Sequence, residues 1–355
     1  RAVAQTSVPG PSASKKPAIG AAHFRGLNLG GSRMLNASQR EFVEAVVRRH
    51  IERTRKSKEM TQESRAVLAD WKHTLSFWTQ LKEAKYPIIS ARSEGARFWD
   101  VDGNEYIDLA MGMGVHFFGH KPRFIIEALQ RQMEEGIELG TQCDLTGRAA
   151  LLIHELTGVE RVTFCNTGSE AVMVAIRLAR AATRRSKLVI FRNSYHGIFD
   201  GVLAAEDDGR IVPVGLGTPP GMVQDVMVLE YGADASLEAI AAHADGLAAV
   251  LVEPVQSRNP DLQPQGFLKK LRRLTQEKGI ALIFDEMING FRIHPGGAQA
   301  WFGITADIVA YGKIVGGGLP IGVVAGRARF LDFIDGGVWQ YGDKSGPRSE
   351  MIYFG

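Results

Sequence analysis

Residues 161–183 read RVTFCNTGSEAVMVAIRLARAAT, and this stretch decides the fold. A short apolar run, Arg161 to Cys165, has the length and composition of a buried strand. A small polar turn, Asn166-Thr167-Gly168-Ser169, follows, and a long helix is predicted from Ser169 to about Thr183. A strand, a glycine turn and a helix N-terminus in succession make an anion site. The free N–H groups and the positive end of the helix dipole both favour a phosphate there. The turn has no Gly-Lys-Ser/Thr and no G-x-G-x-x-G, so nucleotides held in those two ways are disfavoured.

The same alternation continues outward. Further strands are predicted at 187–191, 226–229, 248–252, 280–284, 308–311 and 321–325, and helices at 123–136, 146–157, 236–244 and 265–278. Strands that are apolar nearly throughout, separated by helices, predict an α/β fold. Its core is a mainly parallel seven-stranded sheet covered on both faces. Ligands of such sheets bind beyond the carboxyl ends of the strands. Ahead of this region, FWDVDGNEYID (98–108) reads as two short strands around an Asp-Gly-Asn turn.

Chemistry is therefore sought just after each apolar run. Strand 280–284 ends in Asp285-Glu286; an acid there is either a cap or surface ion pair, or a carboxylate kept for a cation in the cleft. Lys313 is the only charged residue between Ile308 and Gly326 (IVAYGKIVGGGLPIGVVAG). Apolar surroundings favour the neutral form of an amine, which is the form carbonyl chemistry uses. The alternative is a snorkelling lysine. Gly316-Gly317-Gly318 lets backbone come close to a bulky group or another chain. Tyr195-His196 follows strand 187–191 and offers an aromatic for stacking, or ordinary core filling. Glu253 ends strand 248–252 as a second cleft carboxylate or a strand stop. Cys143 and Cys165 have no metal-ligand spacing with histidine, and no H-E-x-x-H occurs, so no metal is expected.

A phosphate cradle, a ring stacker, a buried acid and an isolated lysine on the strand ends of one sheet match the needs of one cofactor, pyridoxal 5′-phosphate. The sequence resembles the class III aminotransferases of fold type I, and within them the glutamate-1-semialdehyde aminotransferase-like branch. The motifs that carry the likeness are WDVDGNEYID (99–108), FGH (118–120), NTGSEAVMVAIRLAR (166–180), YHG (195–197), VEP (252–254), FDEMINGFR (284–292) and YGKIVGGGLPIG (311–322). The resemblance implies that Lys313 is the Schiff-base lysine and proton shuttle. Asp285 would pair the pyridine nitrogen, and Met287 would pack on the ring face opposite Tyr195. Thr167, Gly168 and Ser169 would hold the phosphate, with His196 and Glu253 also in the cofactor site.

Within the branch, YPIISARSEGARFWDVDGNEYIDLAMGMGVHFFGH (86–120) and the basic stretch ending RTRKSK look like aminotransferase domains built into polyketide and nonribosomal peptide synthases. That likeness implies amination of a β-keto acyl thioester on an acyl carrier protein, with an amino acid such as glutamate as donor. It also implies a homodimer with active sites between subunits. Two alternatives are kept: a free-standing glutamate-1-semialdehyde 2,1-aminomutase, and a non-catalytic dimerising scaffold. The family continues past Tyr353-Phe354-Gly355 with a threonine and a small C-terminal domain. The expectation is a partial sequence in which that domain is absent or incomplete.

Composition sets outer bounds. Of 355 residues 45% are apolar and 23% charged, which suits a globular protein with a large core. No apolar run approaches the ~18 residues of a membrane span. Two cysteines exclude a disulfide scaffold and agree with a cytoplasmic setting. The net charge of +3 hides an uneven split, because residues 1–58 are strongly basic and the remainder is mildly acidic. Residues 1–35, rich in Ala, Ser, Pro and Gly toward their start, are read as linker. Residues 36–98 are read as a basic helix, capped by Asn36 or Ser38, and the segment leading into the enzyme. Residues 99–340 are the cofactor-binding large domain, and 341–355 begin a truncated C-terminal part. The basic face, Arg48, Arg49, Arg53, Arg55, Lys56 and Lys58, has no aromatic interleaving or helix-turn-helix partner, so neither nucleic acid nor membrane is expected to bind it.

Overall fold

The computed structural model describes residues 35–73, 77–137 and 142–354. Nearly all of the expected linker lies outside the described residues. Helix α1 (Ala37–Arg53) starts where Asn36 accepts the Gln39 N–H at 2.9 Å and Gln39 returns the bond to the Asn36 N–H, a reciprocal capping box. The single basic helix expected through Lys58 is corrected to two. At Thr54 the chain breaks, and α2 (Arg55–Ser64) continues in a new direction.

The break is held by the hairpin. Strands β1 (Ser90–Glu94), β2 (Arg97–Asp100) and β3 (Glu105–Ile107) form a small antiparallel sheet. Asp100 organises the β2–β3 turn by accepting from the Asp102 and Asn104 N–H groups and from the Tyr106 hydroxyl. The turn in turn grips both sides of the break. Asn104 Nδ2 donates to the Arg53 carbonyl at 2.6 Å, and the Asp102 carboxylate accepts the Lys56 and Ser57 N–H groups at 2.8 and 3.2 Å. A carboxylate at the start of α2 also suits the helix dipole. Thr54, Ser57 and Asp100 are consequently buried although α1 buries none of its residues.

Helices α3 (Arg123–Glu135) and α4 (Asp144–Thr157) lead into the main sheet. Its strands are β4 (Arg161–Cys165), β5 (Lys187–Phe191), β8 (Val226–Leu229), β9 (Leu247–Val252), β10 (Ala281–Asp285), β11 (Ile308–Gly312) and β12 (Gly322–Gly326). A two-stranded ribbon of β6 (Ala204–Asp207) and β7 (Arg210–Pro213) forms a separate small sheet that packs beside β8. The main order is β4-β12-β11-β10-β9-β5-β8. All seven strands coincide, within one residue at each end, with those read from the sequence. The pairs β11–β10, β10–β9, β9–β5 and β5–β8 are parallel, whereas β12 is antiparallel to both β11 and β4. Only β12 is reversed, so the carboxyl ends of the other six strands lie along one edge.

Side chains alternate cleanly through the sheet. Val250, Val252, Leu282, Phe284, Val309 and Tyr311 join one core with Ile153 of α4, α6 (Asp234–Ala242), α7 (Gln265–Glu277) and α8 (Gly297–Phe302). Leu251, Ile283, Ile308 and Val324 face the other, against α5 (Gly168–Thr183) and α9 (Ala328–Asp335). Seven residues of α5 are buried. Burying one such aliphatic side chain is worth about 1.5–3 kcal/mol, so this helix is anchored by packing and its N-terminus is fixed against the sheet edge.

Candidate active site

A cavity of about 300 Å³ opens at that edge. All nine residues singled out from the sequence line it: Thr167, Gly168, Ser169, Tyr195, His196, Glu253, Asp285, Met287 and Lys313. The fold explains the convergence. Gly168 and Ser169 begin α5 just after β4, Glu253 follows β9, Asp285 ends β10 and Lys313 follows β11.

At the start of α5, Thr167 Oγ1 accepts the Glu170 N–H, while Glu170 Oε2 accepts the N–H groups of Asn166 and Thr167 at 2.7 and 2.9 Å. This capping box leaves the N–H groups of Gly168 and Ser169 without an acceptor among the described residues. Two aligned donors at the positive end of a helix face the cavity. Ser169 Oγ accepts the Ile198 N–H at 3.1 Å and so ties the Tyr195–Gly197 loop to the helix. Gly197 has φ +86°, and a Cβ there would run into Ser169 Oγ.

Asp285 is 3% exposed, with both carboxylate oxygens engaged. Its Oδ2 lies 2.8 Å from His196 Nδ1, and its Oδ1 accepts the Met287 N–H at 3.1 Å. His196 is also buried, and its Nε2 has no hydrogen-bond partner among the described residues. Glu253 Oε2 accepts the Tyr195 N–H at 2.9 Å and Oε1 the Ser257 N–H at 3.3 Å. Burial raises the Glu253 carboxyl above its usual range, opposed by the nearby His196 and the Tyr195 N–H. Lys313 sits at φ +46° immediately after Gly312, where a Cβ would strike Met287 Sδ. Holding a non-glycine residue in the left-handed region costs on the order of 1 kcal/mol, and such strain gathers at functional sites.

The pairing of these residues is not carried by the local sequence. The His196–Asp285 contact joins residues 89 apart, and Val115, Leu319, Pro320 and Ile321 are among the other residues of the cavity wall. Asp285 and Glu286, adjacent in sequence, part company. Asp285 turns to the cavity, whereas Glu286 is fully buried and accepts the Ala298 and Gln299 N–H groups at 2.6 and 3.2 Å. Burial pushes the Glu286 carboxyl up to about 8. No group of three or more His, Cys, Asp and Glu is placed to hold a metal among the described residues.

Open helix N–H groups, a buried carboxylate, a partnerless imidazole nitrogen and a primary amine in one cavity fit pyridoxal 5′-phosphate, and the sheet with its single reversed strand is that of fold type I transferases. The Aminotransferase class-III family matches residues 79–341, and the chain belongs to it. It is 38% identical over 275 residues to the glutamate-1-semialdehyde 2,1-aminomutase of Chloroflexus aggregans, covering 75% of this chain and 63% of that protein. Identity to the Acetivibrio thermocellus protein of the same name is 39% over 269 residues, covering 74% of this chain and 63% of that one. The chain therefore spans under two thirds of the length of these curated relatives. Among solved structures it is similar to an omega-transaminase from Sphaerobacter thermophilus, with 34% identity, TM-score 0.72, and coverage of 79% of this chain and 65% of that one. It is also similar to a β-phenylalanine aminotransferase from Variovorax paradoxus, with 28% identity, TM-score 0.71, and coverage of 85% and 67%.

Proposed function

We propose that this chain is the cofactor-binding part of a pyridoxal-phosphate enzyme that moves an amino group, with residues 99–340 as its large domain. The observation that carries the reading is that Lys313 and the His196–Asp285 pair line one cavity. Gly168 and Ser169 would hold the phosphate through their N–H groups, with Thr167 capping the helix behind them. Asp285, held at both oxygens, would face the pyridine nitrogen, and Tyr195 and Met287 would flank the ring. When bound, the cofactor supplies an electron sink for the carbon that carries the amine. Glu253 fixes the Tyr195 backbone and thereby the cavity wall. Lys313 Nζ would take the proton from the amine-bearing carbon and return it elsewhere, a general acid–base role.

For the substrate, the relatives at 37–39% identity favour glutamate 1-semialdehyde, with the amino group moved to the neighbouring carbon. A carrier-bound β-keto acyl chain with glutamate as donor is the second reading. One observation favours it, the likeness to an enzyme named for a β-amino acid. Incubating the loaded protein with the semialdehyde or with a carrier-loaded β-keto thioester separates the two. Lys313→Ala is expected to abolish turnover and the visible absorbance that depends on a bond between Lys313 and the cofactor; full activity in that variant would refute the assignment.

A homodimer is part of the proposal. Exposed apolar side chains gather between residues 107 and 156, including Leu109, Met113, Phe118, Phe124 and Leu151, and α3 buries none of its residues. Such a patch suits a protein interface. No helix among the described residues is long and apolar enough to cross a membrane, and we place the enzyme in the cytoplasm.

A further inference from the structure

We infer that Arg258 is the binding group for a carboxylate on the substrate, an inference that rests on the reading of the cavity as an amino-transferring site. The cavity wall is short of positive charge. It carries two carboxylates, Glu253 and Asp285, and its one lysine or arginine among the described residues is Lys313, which the cofactor would engage. A substrate acid entering this space meets a wall that repels it unless a cation stands at the mouth.

Arg258 lies beside this wall, next to the cavity residue Tyr195. Its guanidinium carbon lies 6.0 Å from the centre of the Tyr195 ring, and Tyr195 is a cavity residue that is 48% exposed. This distance is at the outer limit of a cation–π contact, so the ring orients the guanidinium without holding it tightly. Arg258 is exposed and forms no ion pair with the described residues, unlike Arg161, Arg192 and Arg272, whose carboxylate partners are part of the framework.

Its backbone, by contrast, is built in. Glu253 bridges the N–H groups of Tyr195 and Ser257. Gln256 is 2% exposed, and its Nε2 donates to the Arg192 carbonyl at 2.7 Å and to Ser194 Oγ at 3.2 Å. The Asn259 N–H closes the turn on the Gln256 carbonyl at 3.0 Å. The segment that carries Arg258 is thus fastened to the segment that carries Tyr195. A forked, permanently charged donor on a fastened base beside a cavity residue is suited to grip a planar carboxylate.

The test loads the polypeptide with pyridoxal 5′-phosphate and titrates it calorimetrically with glutarate, with its uncharged diamide and with inorganic phosphate. Glutarate should bind wild type at least about tenfold more tightly than Arg258→Gln, with Arg258→Lys between them, and the diamide should not discriminate. No glutarate binding to wild type, or equal binding to Arg258→Gln, overturns the inference. Loss of phosphate binding alone in Arg258→Gln also overturns it and assigns the arginine to a phosphate. Cofactor absorbance is read in parallel. If wild type takes up no cofactor, the functional reading fails by that measurement, separately from the glutarate result.

Discussion

Replacing Glu286 by glutamine should change how stability responds to pH, more than it changes stability at any one pH. The carboxyl is fully buried, accepts two N–H groups at the start of α8, and titrates at about 8 because burial disfavours its charge. Its ordinary value is 4.5. Between these two values the unfolded chain has released the proton and the folded chain still holds it, so the folded state binds more protons. Stability then falls as pH rises, by about 1.4 kcal/mol per pH unit for one group. It levels off above the folded value, where both states are ionised. From pH 6 to pH 8 the loss from this one side chain is about 2 kcal/mol. Glutamine keeps an acceptor oxygen and removes the titration. Any packing cost it brings is the same at every pH. Urea denaturation at pH 6, 7 and 8 gives the difference in unfolding free energy between wild type and Glu286→Gln, and that difference should shrink by about 2 kcal/mol across the range. Parallel pH curves for the two proteins would refute the argument.

Two further outcomes are expected. Gly197→Ala places a methyl group against Ser169 Oγ at φ +86°, which strains the backbone and displaces the Ile198 N–H from its acceptor. It should destabilise by about 2 kcal/mol and weaken cofactor affinity, read by denaturation and by titration of cofactor absorbance. Asp102→Ala removes the acceptor for the Lys56 and Ser57 N–H groups. It should cost about 1 kcal/mol and expose the Thr54 break to limited proteolysis, with cofactor binding unchanged.

The main sheet was legible because its strands are continuous apolar runs and its helices repeat at helical spacing. Strand direction was not carried by that pattern. It follows from the connection between β11 and β12, since nine residues, 313–321, are too few for a parallel crossover and force β12 to reverse. The cavity residues were legible one by one because chemistry sits at strand ends. The partnership of His196 with Asp285 depends on the sheet order that sets β5 two strands from β10, and no local signal records it. The opposite fates of Asp285 and Glu286 follow from alternation at a strand end, which a dipeptide read by itself does not resolve. The break at Thr54 has no proline or glycine to mark it. It is imposed by the distant turn at Asp102 and Asn104, a tertiary contact overriding a helical pattern.

That turn also gives the N-terminal arm a mechanical character. With 17 residues, α1 is about 25 Å long. Its last carbonyl and the Lys56 and Ser57 N–H groups beyond the break are pinned to a single four-residue turn. A load applied at the Asn36 end would reach the β2–β3 hairpin as a lever's torque rather than being lost in slack chain. The bearing on which it turns is the Asp102–Asn104 turn between β2 and β3, so a motif that carries the family likeness also carries the arm.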